Sequence, residues 1–359
     1  MSSSREPLAV TFLHRLGIKN GIPVSGTFEL TERCNFNCEM CYVHDLKIKK
    51  DPLSAEDWIH LGQEAKKTGT IFLLLTGGEP LLRDDFAKIY TALIEMGFFI
   101  SINTNGSLVD RYIDLFKKYP PSRFNISLYG SNDEAYKSLC KVNKYQKVVD
   151  NIKLLKDNGF DVRMNMVLTP ANASCYKGIC DKAKELNTPL KPTTYSFPQL
   201  RLGKHDDKVR FTPEEAAKYT FLIDKYYKDS DVYKMKIDSF CEIPDDCRND
   251  RVRCRAGRAS FWLTSEGAMR PCGMLTEPNS YPLIDGFEVA WKQTLQQTAD
   301  IRLPKECTDC EYSGVCMVCA AMCKAETGEF NKKPEYICRM VKELHRLAMK
   351  ESEADKNEN

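Results

Sequence analysis

The sequence predicts an α/β protein, a partial (β/α)6 TIM-like barrel followed by a C-terminal cysteine-rich domain. Three observations lead there. The first two-thirds of the chain alternates short β-rich apolar runs with amphipathic stretches, as parallel βα units do. The runs have continuously apolar centres, such as Ile71-Phe72-Leu73-Leu74-Leu75, which fits strands that are covered on both faces or that line a barrel. Ten of the sixteen cysteines lie between Cys241 and Cys338, where the βα pattern has stopped.

Six units are read in order. The strands are Gly26 to Leu30, Thr70 to Leu75, Phe98 to Asn103, Arg123 to Leu128, Asp161 to Leu168 and Leu190 to Ser196. Helices follow them, beginning near Ser54, Arg83, Leu108, Asn132, Tyr145 and Ala173. A charged stretch from Arg201 to Arg210 then leads through Thr212-Pro213-Glu214-Glu215, a cap residue with proline at the first helical position, into another helix. The expected organisation is an N-terminal extension (1–23), the barrel (24–230), the cysteine-rich domain (231–349) and a frayed polar tail (350–359). A chain of 359 residues suits two domains, because single cores stop growing near about 250 to 300 residues.

Charge and composition narrow the partners. Lysine plus arginine (52) nearly balance aspartate plus glutamate (50), so the basic excess that phosphate binding demands is missing and nucleic acid is not an expected partner. No apolar run approaches the roughly 18 residues of a membrane span, and the N-terminus lacks the apolar stretch of a secretory signal. The expectation is a cytoplasmic protein without membrane contact. In that reducing compartment sixteen cysteines read as metal ligands rather than disulfides.

Directly after the first strand, Cys34, Cys38 and Cys41 stand in C-x3-C-x2-C spacing with Tyr42 following. Three thiolates on one loop hold three irons of a cubane and leave the fourth open to a ligand. The competing reading is structural zinc with His44 as the fourth ligand. Gly77-Gly78-Glu79-Pro80 ends the second strand, where βα proteins build their sites; glycines admit a ligand close to the backbone, and the carboxylate accepts from an amino group.

The cysteine loop and the Gly-Gly-Glu-Pro turn together resemble the radical S-adenosylmethionine (SAM) superfamily over about residues 24 to 200. The resemblance implies a [4Fe-4S] cluster on Cys34, Cys38 and Cys41 whose open iron chelates SAM, and whose reduction yields methionine and a 5'-deoxyadenosyl radical. It further implies that Gly77, Gly78 and Glu79 hold the methionine amino group and that Tyr42 presents backbone to the adenine. Asn105, in Asn103-Thr104-Asn105-Gly106, and Ser127, in Ser127-Leu128-Tyr129-Gly130, sit at strand ends where the family makes SAM contacts; their plain alternatives are a turn and a strand cap.

The C-terminal cysteines resemble the SPASM extension of that superfamily, which carries two auxiliary [4Fe-4S] clusters. Cys254, Gly267 and Cys272 give C-x12-G-x4-C, and Cys307, Cys310 and Cys316 give C-x2-C-x5-C, before Cys319, Cys323 and Cys338. The resemblance assigns Cys307, Cys310, Cys316 and Cys338 to auxiliary cluster II, and Cys247, Cys254, Cys272 and Cys319 to auxiliary cluster I. Cys241 competes with Cys247, and Cys323 with Cys319, because the usual next cysteine position is Ala320. If Cys247 is no ligand, cluster I keeps an open iron for substrate. Two zinc sites are the alternative for the whole field. Cys241 and Cys323 are also read as candidate hydrogen-atom donors, by resemblance to peptide epimerases, and Cys140, Cys175 and Cys180 as small buried residues. Glu277, Asp238 and Tyr195 receive no role.

The resulting expectation is an oxidoreductase that uses SAM and three [4Fe-4S] clusters to modify a ribosomally made peptide by cross-linking, thioether formation, epimerisation or dehydrogenation. Auxiliary clusters suit a product radical that must lose an electron. Sulfatase maturation is disfavoured, since those relatives carry an aspartate where this chain has Gly273. About 25 residues precede the first strand, too few for the peptide-recognition domain that many peptide-modifying relatives carry there, which weakens a leader-dependent reading without excluding one, since a recognition protein can be separate. An external donor such as flavodoxin or ferredoxin would supply the electron. The alternatives are radical chemistry on a small metabolite, or a non-enzymatic iron-sulfur or zinc protein.

Overall fold

The computed structural model describes residues 8–43, 50–199, 207–242 and 249–358. Helix α1 (Leu8–Asn20) leads into β1 (Ser25–Glu29). Units then follow as α2 (Ala55–Lys67), β2 (Phe72–Thr76), α3 (Phe86–Glu95), β3 (Phe99–Thr104), α4 (Ile113–Lys118) and β4 (Arg123–Ser127). The series continues with α5 (Asp133–Cys140), α6 (Tyr145–Asp157), β5 (Val162–Val167), α7 (Tyr176–Glu185) and β6 (Leu190–Thr193). All six expected strands are present within three residues of the bounds read from sequence, parallel and paired in sequence order.

Local chemistry explains where the helices start. Ser54 and Asp57 close a capping box on α2, and Asn132 accepts from the Ala135 N–H to open α5. Thr212 and Glu215 form the box that begins α8 (Pro213–Tyr227), with Pro213 at its first position as the sequence indicates. The strands are less uniformly buried than their apolar runs suggest. In β3 to β5, Ile100, Ile102, Phe124, Ile126, Met164 and Met166 are fully buried under the helices. The alternate residues Ser101, Asn103, Asn125, Ser127, Arg163 and Asn165 are half-buried. An open barrel has one packed face and one wet interior, and the period-2 alternation follows from it.

The C-terminal part returns to the same sheet. Helix α9 (Ser230–Cys241) is followed by a hairpin of β7 (Ser260–Leu263) and β8 (Met269–Arg270), with β7 parallel to β1. The order is therefore β6-β5-β4-β3-β2-β1-β7-β8, two strands more than the sequence reading supplied. Trp262 Nε1 donates to Glu29 at 2.9 Å and Ser265 Oγ to Glu32 at 3.1 Å, tying the hairpin to the end of β1. The last helices are α10 (Pro282–Asp285), α11 (Phe287–Asp300), α12 (Ala320–Thr327) and α13 (Glu335–Glu358). Helix α13 packs on α8 and α9 and runs through the segment expected to fray. Glu351 explains this, accepting from Lys225 at 2.5 Å and from the Tyr233 hydroxyl at 3.2 Å. No helix among the described residues is long and apolar enough to cross a membrane.

Candidate functional site

The loop after β1 carries Cys34, Cys38 and Cys41, and all three line one cavity of about 310 Å³ at the C-terminal ends of the strands. The expected Tyr42, Gly77, Gly78, Asn105 and Ser127 line it too. Parallel βα units place their sites at that end, so topology and motif agree.

Gly77 and Gly78 line the cavity and also admit a neighbouring backbone. The backbone that approaches them belongs to the cysteine loop: Gly78 N–H donates to Thr31 O at 2.7 Å and Glu79 N–H to Arg33 O at 2.9 Å. A Cβ at Gly77, which has φ +149°, would stand 2.3 Å from Thr31 O, and one at Gly78 2.4 Å from Arg33 O. Only glycine lets the two segments lie together there.

Glu79 is fully buried and its carboxylate faces the protein. One oxygen accepts from Leu81 N–H at 3.0 Å and the Thr104 hydroxyl at 2.8 Å, and the other from Asn105 N–H at 2.7 Å. It does not line the cavity that its two glycines line. Burial pushes this carboxyl up to about 7 against the pull of those donors. Glu79 thereby staples the ends of β2 and β3 together beneath the cavity floor.

Asn105 turns its side chain to the cysteine loop. Its Nδ2 donates to Asn35 Oδ1 at 2.8 Å and stands 3.8 Å from Cys34 Sγ, while its Oδ1 accepts from the backbone and hydroxyl of Ser107. Phe36 N–H also donates to Cys34 Sγ, at 3.4 Å. Ser127 Oγ accepts from the Tyr129 hydroxyl at 2.9 Å. Gln199 was not singled out from sequence, yet its Nε2 donates to Glu39 O at 2.6 Å and Cys41 O at 2.8 Å, clamping the loop from the far side of the barrel. Met274 and Tyr195 complete the wall, Met274 coming from the turn after β8. Gln199 follows the last strand without a motif, and Met274 lies two residues beyond Cys272, so neither carried a signal beyond its neighbours.

The donor set fits an iron-sulfur cluster. Three soft thiols face one cavity, two N–H groups are aimed at Cys34 Sγ, and hydrogen bonds to cluster sulfurs are a recurring feature of such sites. Burial, with the Glu79 charge nearby, pushes the Cys34 thiol up to about 12, so thiolates here call for a positive partner. Among the described residues no three His, Cys, Asp or Glu side chains close on a single point as a one-ion site requires. A cubane needs no such convergence, because each thiolate takes a different iron.

The C-terminal cysteines fall into two groups. Cys307, Cys310, Cys316 and Cys338 line a cavity of about 270 Å³ between the 305–318 loop and the start of α13. Cys254, Cys272 and Cys319 line another of about 420 Å³, whose wall Cys316 shares. Cys247 and His44 lie outside the described residues. Cys323 lines neither cavity and is wholly buried in the core around Leu303 and Ile337. Cys241, at the end of α9, packs with Ile237, Phe240 and Ala348. Neither Cys241 nor Cys323 lines the barrel cavity, the position a hydrogen-atom donor would need. Glu277 is paired with Lys324 at 2.6 Å, and Cys140, Cys175 and Cys180 are buried as expected.

Comparison with known proteins follows the same lines. Residues 28–183 match the family model of the radical SAM superfamily. Over 342 residues the chain is 22% identical to the AdoMet-dependent heme synthase of Methanosarcina barkeri, covering 86% of this chain and 94% of that protein. It is 35% identical over 153 residues to the probable GTP 3',8-cyclase of Methanothermobacter thermautotrophicus, a match spanning 42% of this chain and half of that protein. Among solved structures, Streptococcus suis SuiB bound to S-adenosylmethionine superposes with a TM-score of 0.69 at 16% identity, covering 92% of this chain and 81% of SuiB. Native anSMEcpe with bound AdoMet gives 0.71 at 15% identity, covering 94% of this chain and all of that one. Both have also been solved with peptides, SuiB with precursor peptide SuiA and anSMEcpe with the Kp18Cys peptide. At these identities the likeness is one of fold.

Proposed function

From the match of residues 28–183 to the radical SAM superfamily model, we propose that this chain is a radical SAM enzyme that cleaves SAM and modifies a ribosomally made peptide. The cleaving [4Fe-4S] cluster is assigned to Cys34, Cys38 and Cys41, and when bound it supplies one electron to SAM and so a carbon radical able to abstract hydrogen. The observation that carries the reading is the convergence of those three thiols with Gly77, Gly78 and Asn105 on one cavity at the strand ends.

Each part of the chain has a defined task in this reading. Asn105 and Phe36 orient Cys34 through N–H donation to its sulfur. Gln199 and the Gly77–Gly78 turn hold the loop in place. Tyr42 and Ser127 border the space for the adenosyl group, and the wall of Tyr195, Phe197 and Met274 keeps water from the reacting carbon. Cys307, Cys310, Cys316 and Cys338, and Cys254, Cys272 and Cys319 with Cys247, would hold the two further clusters of a SPASM domain, which would supply an acceptor for the electron that an oxidised product must lose. Support comes from the grouping of those cysteines on two adjoining cavities that share Cys316. The peptide substrate is supported by the fold shared with SuiB and anSMEcpe, both solved with peptides. Flavodoxin or ferredoxin serves as electron donor, and a separate protein recognises the peptide.

The test is anaerobic reconstitution with iron, sulfide, SAM and dithionite, followed by addition of candidate precursor peptides. Formation of 5'-deoxyadenosine that rises with a peptide is expected; its absence from every iron-loaded preparation sinks the enzyme reading. Radical oxidation of a small molecule is a second reading, favoured by the full-length relation to the Methanosarcina barkeri heme synthase. A tetrapyrrole that stimulates 5'-deoxyadenosine formation where peptides do not decides for it. Against a zinc protein, metal analysis should find about twelve irons with matching sulfide.

A further inference from the structure

Cys140 is the last residue of α5 and is completely buried, and by sequence it is a small apolar filler. Its surroundings say more. The cysteine loop is bonded to the end of α5 on both sides of Cys38, with Asn37 N–H donating to Cys140 O at 3.2 Å and Glu39 N–H to Leu139 O at 3.0 Å. The two backbone bonds bring the Cys140 thiol beside that of Cys38, and neither is in a disulfide. Lys141, held at φ +60° to cap the helix, pairs its side chain with Glu39, and Phe36 packs edge-on against Tyr136 with ring centroids 6.0 Å apart. Residues on both sides of Cys38 are therefore anchored to the last turn of α5 or the residue that caps it.

We propose that Cys38 and Cys140 form a disulfide in the iron-free chain, so that Cys140 is a fourth thiol of the catalytic loop and its oxidation partner. The step is a two-electron oxidation: both S–H bonds break, one S–S bond forms, and two protons and two electrons pass to a thiol oxidant. With diamide the acceptor is its N=N bond, which becomes HN–NH. The pairing keeps Cys38 from the irreversible sulfinic and sulfonic states, and thiol–disulfide exchange returns it for cluster assembly. Cys41, only three positions on in the chain, is the rival partner, but the backbone bonds fix Cys38 against Cys140.

The consequence for the cofactor rests on reading Cys38 as a cluster ligand, and the experiment separates the two claims. Full-length protein is treated anaerobically with diamide in its iron-free and iron-loaded forms, alkylated, digested without reduction and mapped by mass spectrometry. The iron-free wild type should give the Cys38–Cys140 cross-linked peptide, and C140S should lose it and leave Cys38 alkylated or paired with Cys41. Iron loading should lower the yield about tenfold, since a thiolate held by metal is not free to attack. Pairing of Cys38 with Cys34 or Cys41 in the wild type, or Cys38 and Cys140 both alkylated, overturns the inference and leaves the cluster reading intact. Equal yields in the two forms leave the pairing standing and count against Cys38 as a ligand.

Discussion

The Tyr195 hydroxyl donates to the Glu326 carboxylate at 2.7 Å, joining the segment after β6 to helix α12 within the cysteine-rich part of the chain. Arg210 completes the contact, with Nη2 at 2.9 and 3.0 Å from the two carboxylate oxygens and its guanidinium 4.1 Å from the Tyr336 ring centroid. Arg210 is buried and Glu326 nearly so, at 5% and 11% side-chain exposure. Because Tyr195 also lines the barrel cavity, this ion pair sets that wall of the candidate site from behind.

E326A removes the ion pair and both charged hydrogen bonds that Glu326 makes with Arg210, so it should cost about 3 to 5 kcal/mol. Y195F removes one neutral donor and leaves the Arg210 pair, so about 1 to 2 kcal/mol is expected. Urea titrations of the two variants check the order. Equal losses would show that Arg210 does not depend on Glu326 for its counter-charge.

A second prediction concerns pH. Glu79 is raised from its ordinary 4.5 to about 7 by burial, so the folded state binds a proton that the unfolded chain has released across that interval. The sign follows: its contribution is fully present below about 4.5 and is lost as pH rises through about 7, by about 3 kcal/mol in all. In E79Q that fall should disappear. The amide must also turn one N–H toward a donor among Leu81, Thr104 and Asn105, which lowers stability by about 1 to 3 kcal/mol at acidic pH. Stability measured from pH 5 to pH 7.5 reads both effects, and an unchanged slope in E79Q would show that another group titrates.

The sequence carried the six βα units because their periodicity is local, and it carried the three-cysteine loop because spacing alone sets that chemistry. What it withheld depends on contacts between distant segments. The β7–β8 hairpin is only four and two residues long, and its identity as sheet rests on β1, more than 200 positions earlier. Nothing local shows that the Glu79 carboxylate takes donors from residues 81, 104 and 105. The clamp by Gln199 on residues 39 and 41, and the pairing of Glu351 with Lys225 that keeps the tail helical, are long-range in the same way.

Gly273, noted in the sequence as standing where an aspartate marks some relatives, has a packing reason in this chain. A Cβ there would lie 2.6 to 2.7 Å from the Trp262 ring, whose Nε1 is committed to Glu29. G273A should therefore cost about 1 to 3 kcal/mol by overpacking, and G273D more. The indole must shift to admit either side chain, so tryptophan fluorescence should change along with the thermal midpoint. A neutral G273A would mean that the hairpin moves freely against β1.

The competition between Cys319 and Cys323 leads to the last prediction. Cys319 shares a cavity with Cys254 and Cys272, whereas Cys323 is one turn further along, wholly buried among Leu303, Val318 and Ile337. A ligand must reach the cluster, and a core thiol acts as a small apolar side chain. Under the three-cluster reading, C319A should retain about eight of about twelve irons, while C323A should retain all of them and lose about 1 kcal/mol of packing. Iron and sulfide assays on the anaerobically reconstituted variants decide between them. The triple variant C34A/C38A/C41A serves as the reference, since it too should drop by about four irons but lose SAM cleavage entirely. Full iron in C319A with a deficit in C323A would reverse the assignment, and would require α12 to rotate so that residue 323 faces Cys254.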